Sequence, residues 1–119
     1  MRSLKFRAWD ARNKLMIPEI LTISKNGGID LLYQLVPPDL IIMQFTGLHD
    51  KNGKEIWEGD ILECIYGYVD KQFEVYFENG LFSMKTKDGL TQPVYVLGQI
   101  SKVLGNIYEH PHLLETHNA

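Results

Sequence analysis

The clearest structural signal in the chain is the stretch Gln72-Phe-Glu-Val-Tyr-Phe-Glu-Asn-Gly-Leu-Phe-Ser-Met-Lys85. Apolar and polar residues alternate on both sides of Asn79-Gly80, a dipeptide that favours a two-residue type I′ turn because both positions accept a positive φ. The turn predicts a β-hairpin in which Phe77 faces Phe82. We expect one face of this hairpin to be buried, and its side chains are Phe73, Val75, Phe77, Phe82 and Met84.

Polar residues fill the opposite face of the hairpin. The same register sets Glu74 across from Lys85, and an opposite-charge pair in this position stabilises a sheet. A slip of one residue would turn the apolar side chains towards water, so the turn and the alternation specify the same register.

Short strands and tight turns continue along the rest of the chain, which predicts an all-β fold. Turns are expected at 10–13, at Asp50-Lys-Asn-Gly53 and at Glu58-Gly-Asp60, where Gly59 would take a positive φ and Asp60 would bond its own backbone. Residues 110–114 are expected to form one helical turn. The segments predicted as strands are 4–9, 14–17, 40–46 (buried), 55–57, 61–65, 94–97 and 102–109, with a glycine bulge or bend in 96–100 and in 103–107.

The conformation of residues 18–39 stays open. Residues 20–23 resemble a strand, 26–28 a turn, and 29–36 either a strand or a short helix. Pro37-Pro38 then requires an extended connection, because the residue before a proline is disfavoured in the helical region.

Length and composition favour a single cytoplasmic domain. The chain has 119 residues, of which 45% are hydrophobic, and it contains no apolar run of the roughly 20 residues that a membrane span requires. No secretory signal opens the chain. The lone cysteine, Cys64, alternates within an apolar strand, which predicts a buried, inert thiol in a reducing compartment.

Positive charge is concentrated at the N-terminus of an otherwise acidic chain with a net charge of −3. Lys5, Arg7 and Arg12 lie beside Trp9, so this edge is a candidate surface for nucleic acid. The alternative is that Lys5 and Arg7 are solvent-facing strand positions. An acidic body argues against sequence-independent binding of nucleic acid, which needs a basic stripe.

Motifs for catalysis, metals and cofactors are incomplete. Gly47-Leu-His-Asp-Lys-Asn-Gly-Lys54 has five residues between its glycines where a phosphate loop has four. The histidines 49, 110, 112 and 117 lack the further ligands of a zinc site, so we expect the three in the tail to be solvated. We therefore predict no catalytic residue, no metal and no cofactor, and a protein that is not an enzyme.

Aromatic residues are more abundant than a small core requires. Tyr66-Gly-Tyr68 falls at a predicted loop, where Tyr66 and Tyr68 could form an aromatic groove for a peptide. The alternative is that both tyrosines are ordinary amphipathic residues of the sheet.

Three segments carry a resemblance to a known family: Lys5-Phe-Arg-Ala-Trp-Asp10, residues 43–61, and Val103-Leu-Gly-Asn-Ile-Tyr-Glu-His-Pro-His-Leu-Leu114. In this order they resemble the YopX-like family of small phage and prophage proteins. The resemblance implies one YopX-like domain over 1–119, with a smaller N-terminal β portion (1–43) and an SH3-like barrel roll (44–119). It implies a bacterial or phage cytoplasmic setting and no particular activity.

The sequence thus predicts an accessory protein that acts by binding. Our leading hypothesis is a protein-interaction module that contacts a host or phage protein through Tyr66 and Tyr68. The alternatives are a nucleic-acid-binding protein that uses the N-terminal basic residues and, less favoured, a small enzyme with an unrecognised site. No membrane partner is expected, and a homo-oligomer stays open.

Overall fold

The computed structural model describes residues 4–23, 29–31 and 39–114. Within these residues the chain forms two antiparallel sheets, with strand orders β3-β2-β1-β4-β5 and β10-β6-β7-β8-β9, so the predicted all-β fold is confirmed. The elements are β1 (Phe6–Asp10), β2 (Leu15–Ile23), β3 (Ile29–Leu31), β4 (Leu40–His49), β5 (Glu55–Trp57), β6 (Asp60–Tyr66), β7 (Val69–Glu78), β8 (Leu81–Lys85), β9 (Thr91–Pro93), α1 (Val94–Leu97), β10 (Lys102–Asn106) and 3-10 turns at Gly98–Ile100 and Pro111–Leu114.

The β7–β8 hairpin has the predicted register. Phe77 pairs with Phe82 and Glu74 with Lys85, and the turn residues Asn79 and Gly80 have φ values of 54° and 78°. The pattern of the sequence and the chemistry of the turn were therefore sufficient to define this element.

The main core lies against the second sheet, and its buried residues are Ile56, Leu62, Cys64, Phe73, Val75, Met84, Val94 and Val103. The burial of Cys64 is as expected. The predicted burial of Phe77 is wrong, because 48% of this residue is exposed, and Phe82 is only half-buried. The Phe77–Phe82 pair lies next to the turn, beyond the end of the core. The two rings contact each other, with their centroids 4.8 Å apart.

Strand β4 is shared between two pairings. Its first half pairs with β1 and its second half with β5. The strand therefore continues across the boundary predicted between the N-terminal β portion (1–43) and the barrel portion (44–119). The prediction of a buried strand over 40–46 is wrong in part, because Ile41 and Ile42 are exposed while Met43 and Phe45 are buried. The first half of β4 has one side towards the second sheet and the other towards solvent.

The predicted strand over 94–97 is wrong, because this segment is helix α1 followed by a 3-10 turn. Pro93 precedes the helix with a φ of −66°, and the Ser101 hydroxyl donates to the Leu97 carbonyl at 2.7 Å. Gly98 has helical φ and ψ rather than forming a bulge. A Cβ there would lie 2.7 Å from Val94 Cγ1, so the absence of a side chain permits close packing on the core.

The C-terminal segment follows the prediction more closely. Strand β10 has the expected bulge between Val103 and Gly105, but it ends at Asn106 rather than at Glu109. The Asn106 side chain ends it, because its oxygen accepts the backbone N–H of Tyr108 and of Glu109 at 3.0 and 2.8 Å. The helical turn over 110–114 is confirmed as a 3-10 turn.

In the segment that the sequence left open, residues 20–23 extend β2 and residues 29–31 form β3. The turn at 26–28 and the extended connection at Pro37-Pro38 lie outside the described residues. No helix in the described part of the chain is long and apolar enough to span a membrane.

Candidate binding groove

The three basic residues of the candidate N-terminal surface all form ion pairs. Lys5 pairs with Glu55, Arg7 with Asp60 at 2.8 Å, and Arg12 with Asp39 at 3.3 Å. The pairs of Lys5 and Arg7 connect β1 with the segment that leads into the second sheet. The basic edge is therefore largely neutralised by the protein's own carboxylates.

The Arg7–Asp60 pair is buried at the junction of the two sheets. Arg7 donates through Nη2 to Asp60 Oδ1 and to the Glu58 carbonyl, and its guanidinium carbon lies 5.1 Å from the centre of the Trp57 ring. Asp60 Oδ2 accepts the Trp57 backbone N–H at 2.8 Å. The solvent-facing position expected for Arg7 is wrong, since only 12% of its side chain is exposed.

Burial dominates the electrostatics of Asp60 and raises the pKa of its carboxyl above the ordinary value of 3.8, although the Arg7 charge lowers it in part. The predicted backbone bond of Asp60 is present, but the sequence did not reveal its pairing with Arg7. The two residues are 53 positions apart, and a single sequence contains no signal of such a long-range pair.

Trp9 does not belong to an exposed surface. It is 8% exposed, and its ring stacks on Tyr108 with centroids 6.0 Å apart. The alternation over residues 4–9 placed Trp9 on the polar face. That face instead packs against the second sheet, which is why Trp9 and Arg7 are both covered.

The two tyrosines of the predicted loop lie in different environments. Tyr66 ends β6, packs against the main core and accepts a hydrogen bond from the Gln92 amide at 3.2 Å. Tyr68 lies in the turn between β6 and β7 and is fully exposed. Tyr66 is thus an amphipathic residue of the sheet, which was the alternative interpretation. Of the two tyrosines, Tyr68 is the one that presents its ring to solvent.

A polar cleft of 370 Å³ opens on one side of the junction, between Arg7, Glu55, Glu109 and His110. The expectation of a solvated His110 is wrong. Its ring is half-buried, accepts the Asn106 N–H at Nδ1, and occupies the space where a Cβ on Gly105 would lie, 2.4 Å from Nδ1. Among the described residues, no group of three or more His, Cys, Asp or Glu side chains is placed to hold a metal ion.

A groove lined by both apolar and polar groups lies between β4 and the β7–β8 hairpin, and we call it the β4–hairpin groove. It consists of two adjoining cavities of 310 and 290 Å³ that share Phe77. The first lies beside Gly47 and Leu48 and is bounded by Leu81, Phe82 and Tyr95. The second lies beside Ile41, Ile42 and Met43 and is bounded by Glu58, Glu74, Ile107 and Tyr108. Eight residues of β4 (41–48) extend over about 23 Å, so an extended segment of about seven or eight residues fits this length.

Exposed apolar side chains line the groove along its whole length. The exposed fractions are 38% for Ile41, 48% for Phe77, 41% for Leu81 and 64% for Tyr95. The sequence did not reveal this surface, because Ile41 and Phe77 both occur in patterns typical of a buried strand. Their exposure depends on where the core ends, which strand periodicity does not report.

Two carboxylates, those of Glu58 and Glu74, line the second cavity beside Tyr108. Partial burial raises the pKa of Tyr108, and the negative charges of Glu74 and Glu58 raise it further, while Arg7 lowers it. Strand β4 holds the Glu58 side chain in place, because Glu58 Oε1 accepts the backbone N–H of Gln44 at 2.8 Å. A glycine is needed beside it, because Gly59 has a φ of +85° and a Cβ would lie 3.0 Å from Met43 Sδ.

Together, the fold and the groove define a small antiparallel all-β protein with an open cleft between its two sheets. The chain belongs to the YopX protein family, whose model matches residues 5–115. The segments on which the resemblance was based meet at the junction, where Arg7, Asp60 and Tyr108 each come from a different one.

Two solved structures support this assignment. Protein EF1440 from Enterococcus faecalis is 31% identical, with 96% of this chain and 99% of that chain covered and a TM-score of 0.64. Protein yopX from Bacillus subtilis has the same fold at 23% identity and a TM-score of 0.64, with 99% and 100% covered. A comparison with curated proteins found no match.

Proposed function

We propose that the protein is a non-catalytic protein-interaction module that binds an extended segment of a partner protein in the β4–hairpin groove. One observation carries this proposal: Phe77, Leu81 and Tyr95 are each at least two-fifths exposed and line the same cavity. Apolar side chains that are grouped and exposed in a cleft are typical of a binding site.

The energetics favour a partner that supplies apolar side chains. Covering apolar surface contributes about 25 cal/mol per Å², and buried aromatic residues commonly dominate the binding energy of an interface. Phe77 and Tyr95 are therefore the anchors that we expect to matter most.

The environment of the reactive groups supports a non-catalytic role. Asp60 is held by Arg7 and the Trp57 N–H, and Cys64 lies in the main core with 3% of its surface exposed. Cys64 is therefore closed to a substrate, and Asp60, which lines the polar cleft, is engaged by Arg7.

The ion pairs favour a protein partner over nucleic acid. A phosphate backbone would have to displace Glu55, Asp60 and Asp39 from the three basic residues of the N-terminal edge. Binding to nucleic acid is driven by unpaired cations that replace counterions. We infer that the module acts in the bacterial cytoplasm, whether its gene is bacterial or belongs to a phage, as the family resemblance implies.

A random library of twelve-residue peptides displayed on phage tests the proposal. Peptides selected on the wild-type protein are expected to lose at least about tenfold in affinity on Phe77→Ala, because the variant removes an aromatic anchor. Tyr68→Ala is the matched control, since it removes a fully exposed aromatic ring at the β6–β7 turn, and it should leave affinity unchanged.

Two outcomes would contradict the proposal. The first is a library that yields no peptide sensitive to Phe77→Ala while the variant keeps the thermal stability of a folded protein. The second is a set of peptides that is lost on Tyr68→Ala and retained on Phe77→Ala, which would place the site at the β6–β7 turn.

A further inference from the structure

We propose that the segment bound in the groove carries a Lys or Arg side chain that enters the second cavity, beside Glu58 and Glu74, while its apolar residues cover Phe77, Leu81 and Tyr95. This inference rests on the proposed function and specifies the chemistry of the partner segment and the cavity that its basic side chain enters.

The walls of the second cavity match the two parts of a long basic side chain. Ile41, Met43 and Ile107 supply apolar surface, against which the methylene groups of Lys or Arg can pack. Glu58 and Glu74 line the same cavity and supply carboxylates for the charged end. The two cavities thus differ in charge, since the lining of the first contains no charged residue.

The carboxylates of this cavity keep capacity for a cation. Glu58 uses one oxygen for the Gln44 N–H, and an ionised carboxylate accepts up to about four hydrogen bonds. The charge of Arg7 lowers the pKa of Tyr108, but Arg7 is paired with Asp60. Lys85 lies opposite Glu74 in the sheet, and its ammonium is over the Tyr76 ring, 4.7 Å from the centroid.

Charge complementarity therefore identifies the occupant. An acidic residue at this end would face Glu58 and Glu74, and like charges in a partly desolvated cleft oppose binding. An apolar residue would cover the two carboxylates without replacing their hydrogen bonds to water. A Lys or Arg satisfies both the apolar walls and the carboxylates.

The test compares selections from the same displayed library on four proteins: wild type, Glu74→Gln, Glu74→Lys and Glu78→Lys. Wild type should enrich peptides with Lys or Arg at a fixed distance from an apolar pair. Glu74→Gln should weaken this preference, and Glu74→Lys should replace it with a preference for Asp or Glu. Glu78→Lys is the control, because Glu78 is exposed beside Phe77 but does not line either cavity.

A synthetic peptide from the wild-type selection isolates the contribution of the charge. Replacing its conserved Lys with norleucine keeps the methylene chain and removes the ammonium, and we expect affinity measured by fluorescence polarisation to fall at least about tenfold. The affinity of the Lys peptide should also decrease as salt increases, and that of the norleucine peptide should not.

The outcomes separate this inference from the proposed function. Peptides that depend on Phe77 but show no preference for a basic residue would refute the inference and leave the groove as the site. A basic preference that is unchanged on Glu74→Lys would refute the inference as well. Selected peptides that do not depend on Phe77 would refute the proposed function itself.

Discussion

The two sheets of the protein are stabilised in different ways. The second sheet packs on a continuous core in which Phe73, Leu62, Met84 and Val94 are completely buried. On the outer face of the first sheet, the described side chains form a small cluster of Ala8 and Ile17, flanked by Phe6 and Leu40. Its inner face is attached to the second sheet by the buried Arg7–Asp60 ion pair and by the Trp9 ring stacked on Tyr108.

The difference shows how a small protein can leave a groove open. The main core takes in Ile56 of β5, with Leu48 of β4 packed against it. Beside it, the first sheet meets the second through the Arg7–Asp60 pair and the Trp57 ring. The apolar side chains of Phe77 and Ile41 belong to neither cluster and remain available to a partner.

The largest expected effect is on the core of the second sheet. Phe73→Ala should reduce the free energy of unfolding by about 3–5 kcal/mol, because a fully buried ring is lost and the close-packed surroundings relax only in part. Ile17→Ala in the small cluster should cost about 2 kcal/mol, at the low end for such a truncation. Denaturation in urea measures both, and an equal or larger loss for Ile17→Ala would contradict the contrast.

The ion pair between the sheets should have the next largest effect. Asp60→Ala leaves the Arg7 charge buried without its partner, so we expect a loss of about 3 kcal/mol. Asp39→Ala is the matched control, since it breaks the exposed Arg12 pair, and it should cost less than about 0.5 kcal/mol. A double variant that also carries Arg7→Met should recover part of the loss; equal losses for Asp60→Ala and Asp39→Ala would mean that the junction does not depend on this pair.

The two regions also differ in how well the sequence predicts them. The β7–β8 hairpin could be predicted to the residue, because the Asn79-Gly80 turn and the alternation are local and agree. The composition of segment 94–97 predicts a strand, but the segment forms α1. Pro93 precedes this helix, and Gly98 packs closely against Val94 at its end. Composition alone does not report these contacts.

The candidate site was predicted less well than the fold. An exposed Tyr68 could be inferred from its turn, but the burial of Trp9 and the exposure of Phe77 depend on how the two sheets meet. Ion pairs such as that of Arg7 are formed by residues far apart in sequence. Strand periodicity identifies the two faces of a strand, but it does not identify which neighbour covers each face.

The third prediction compares two glycines with positive φ, one at the junction and one in the hairpin turn. Gly80→Ala introduces backbone strain only, since no atom lies within 4 Å of the added Cβ, and it should cost about 1 kcal/mol. Gly59→Ala adds a contact with Met43 Sδ at 3.0 Å and should cost about 2 kcal/mol. Thermal denaturation of the two variants measures both losses of stability. Equal decreases in melting temperature would show that the junction accommodates the methyl group.

The smallest effect concerns two buried aspartates with opposite pKa shifts. Burial tends to raise the pKa of Asp50, but backbone N–H groups of Val103, Lys54 and Asn52 donate to its carboxylate, and the net pKa lies below its ordinary value of 3.8. At Asp60, by contrast, burial prevails over the Arg7 charge and the pKa is raised. In an NMR titration of the carboxyl carbons, Asp60 should therefore titrate above 3.8 and Asp50 below it.

The sign of each shift determines its effect on stability. The ionised Asp50 stabilises the fold above its unfolded pKa, and this contribution is lost as the pH falls through its lower folded pKa. Asp60 acts in the opposite direction: its folded form binds a proton more readily, so its contribution to stability increases as the pH falls through its folded pKa. Asp50→Asn should consequently lose stability less steeply than wild type below about pH 4. A steeper acid transition in this variant would show that the hydrogen bonds to Asp50 do not stabilise its charge, and that the turn before β5 is held to β10 by other contacts.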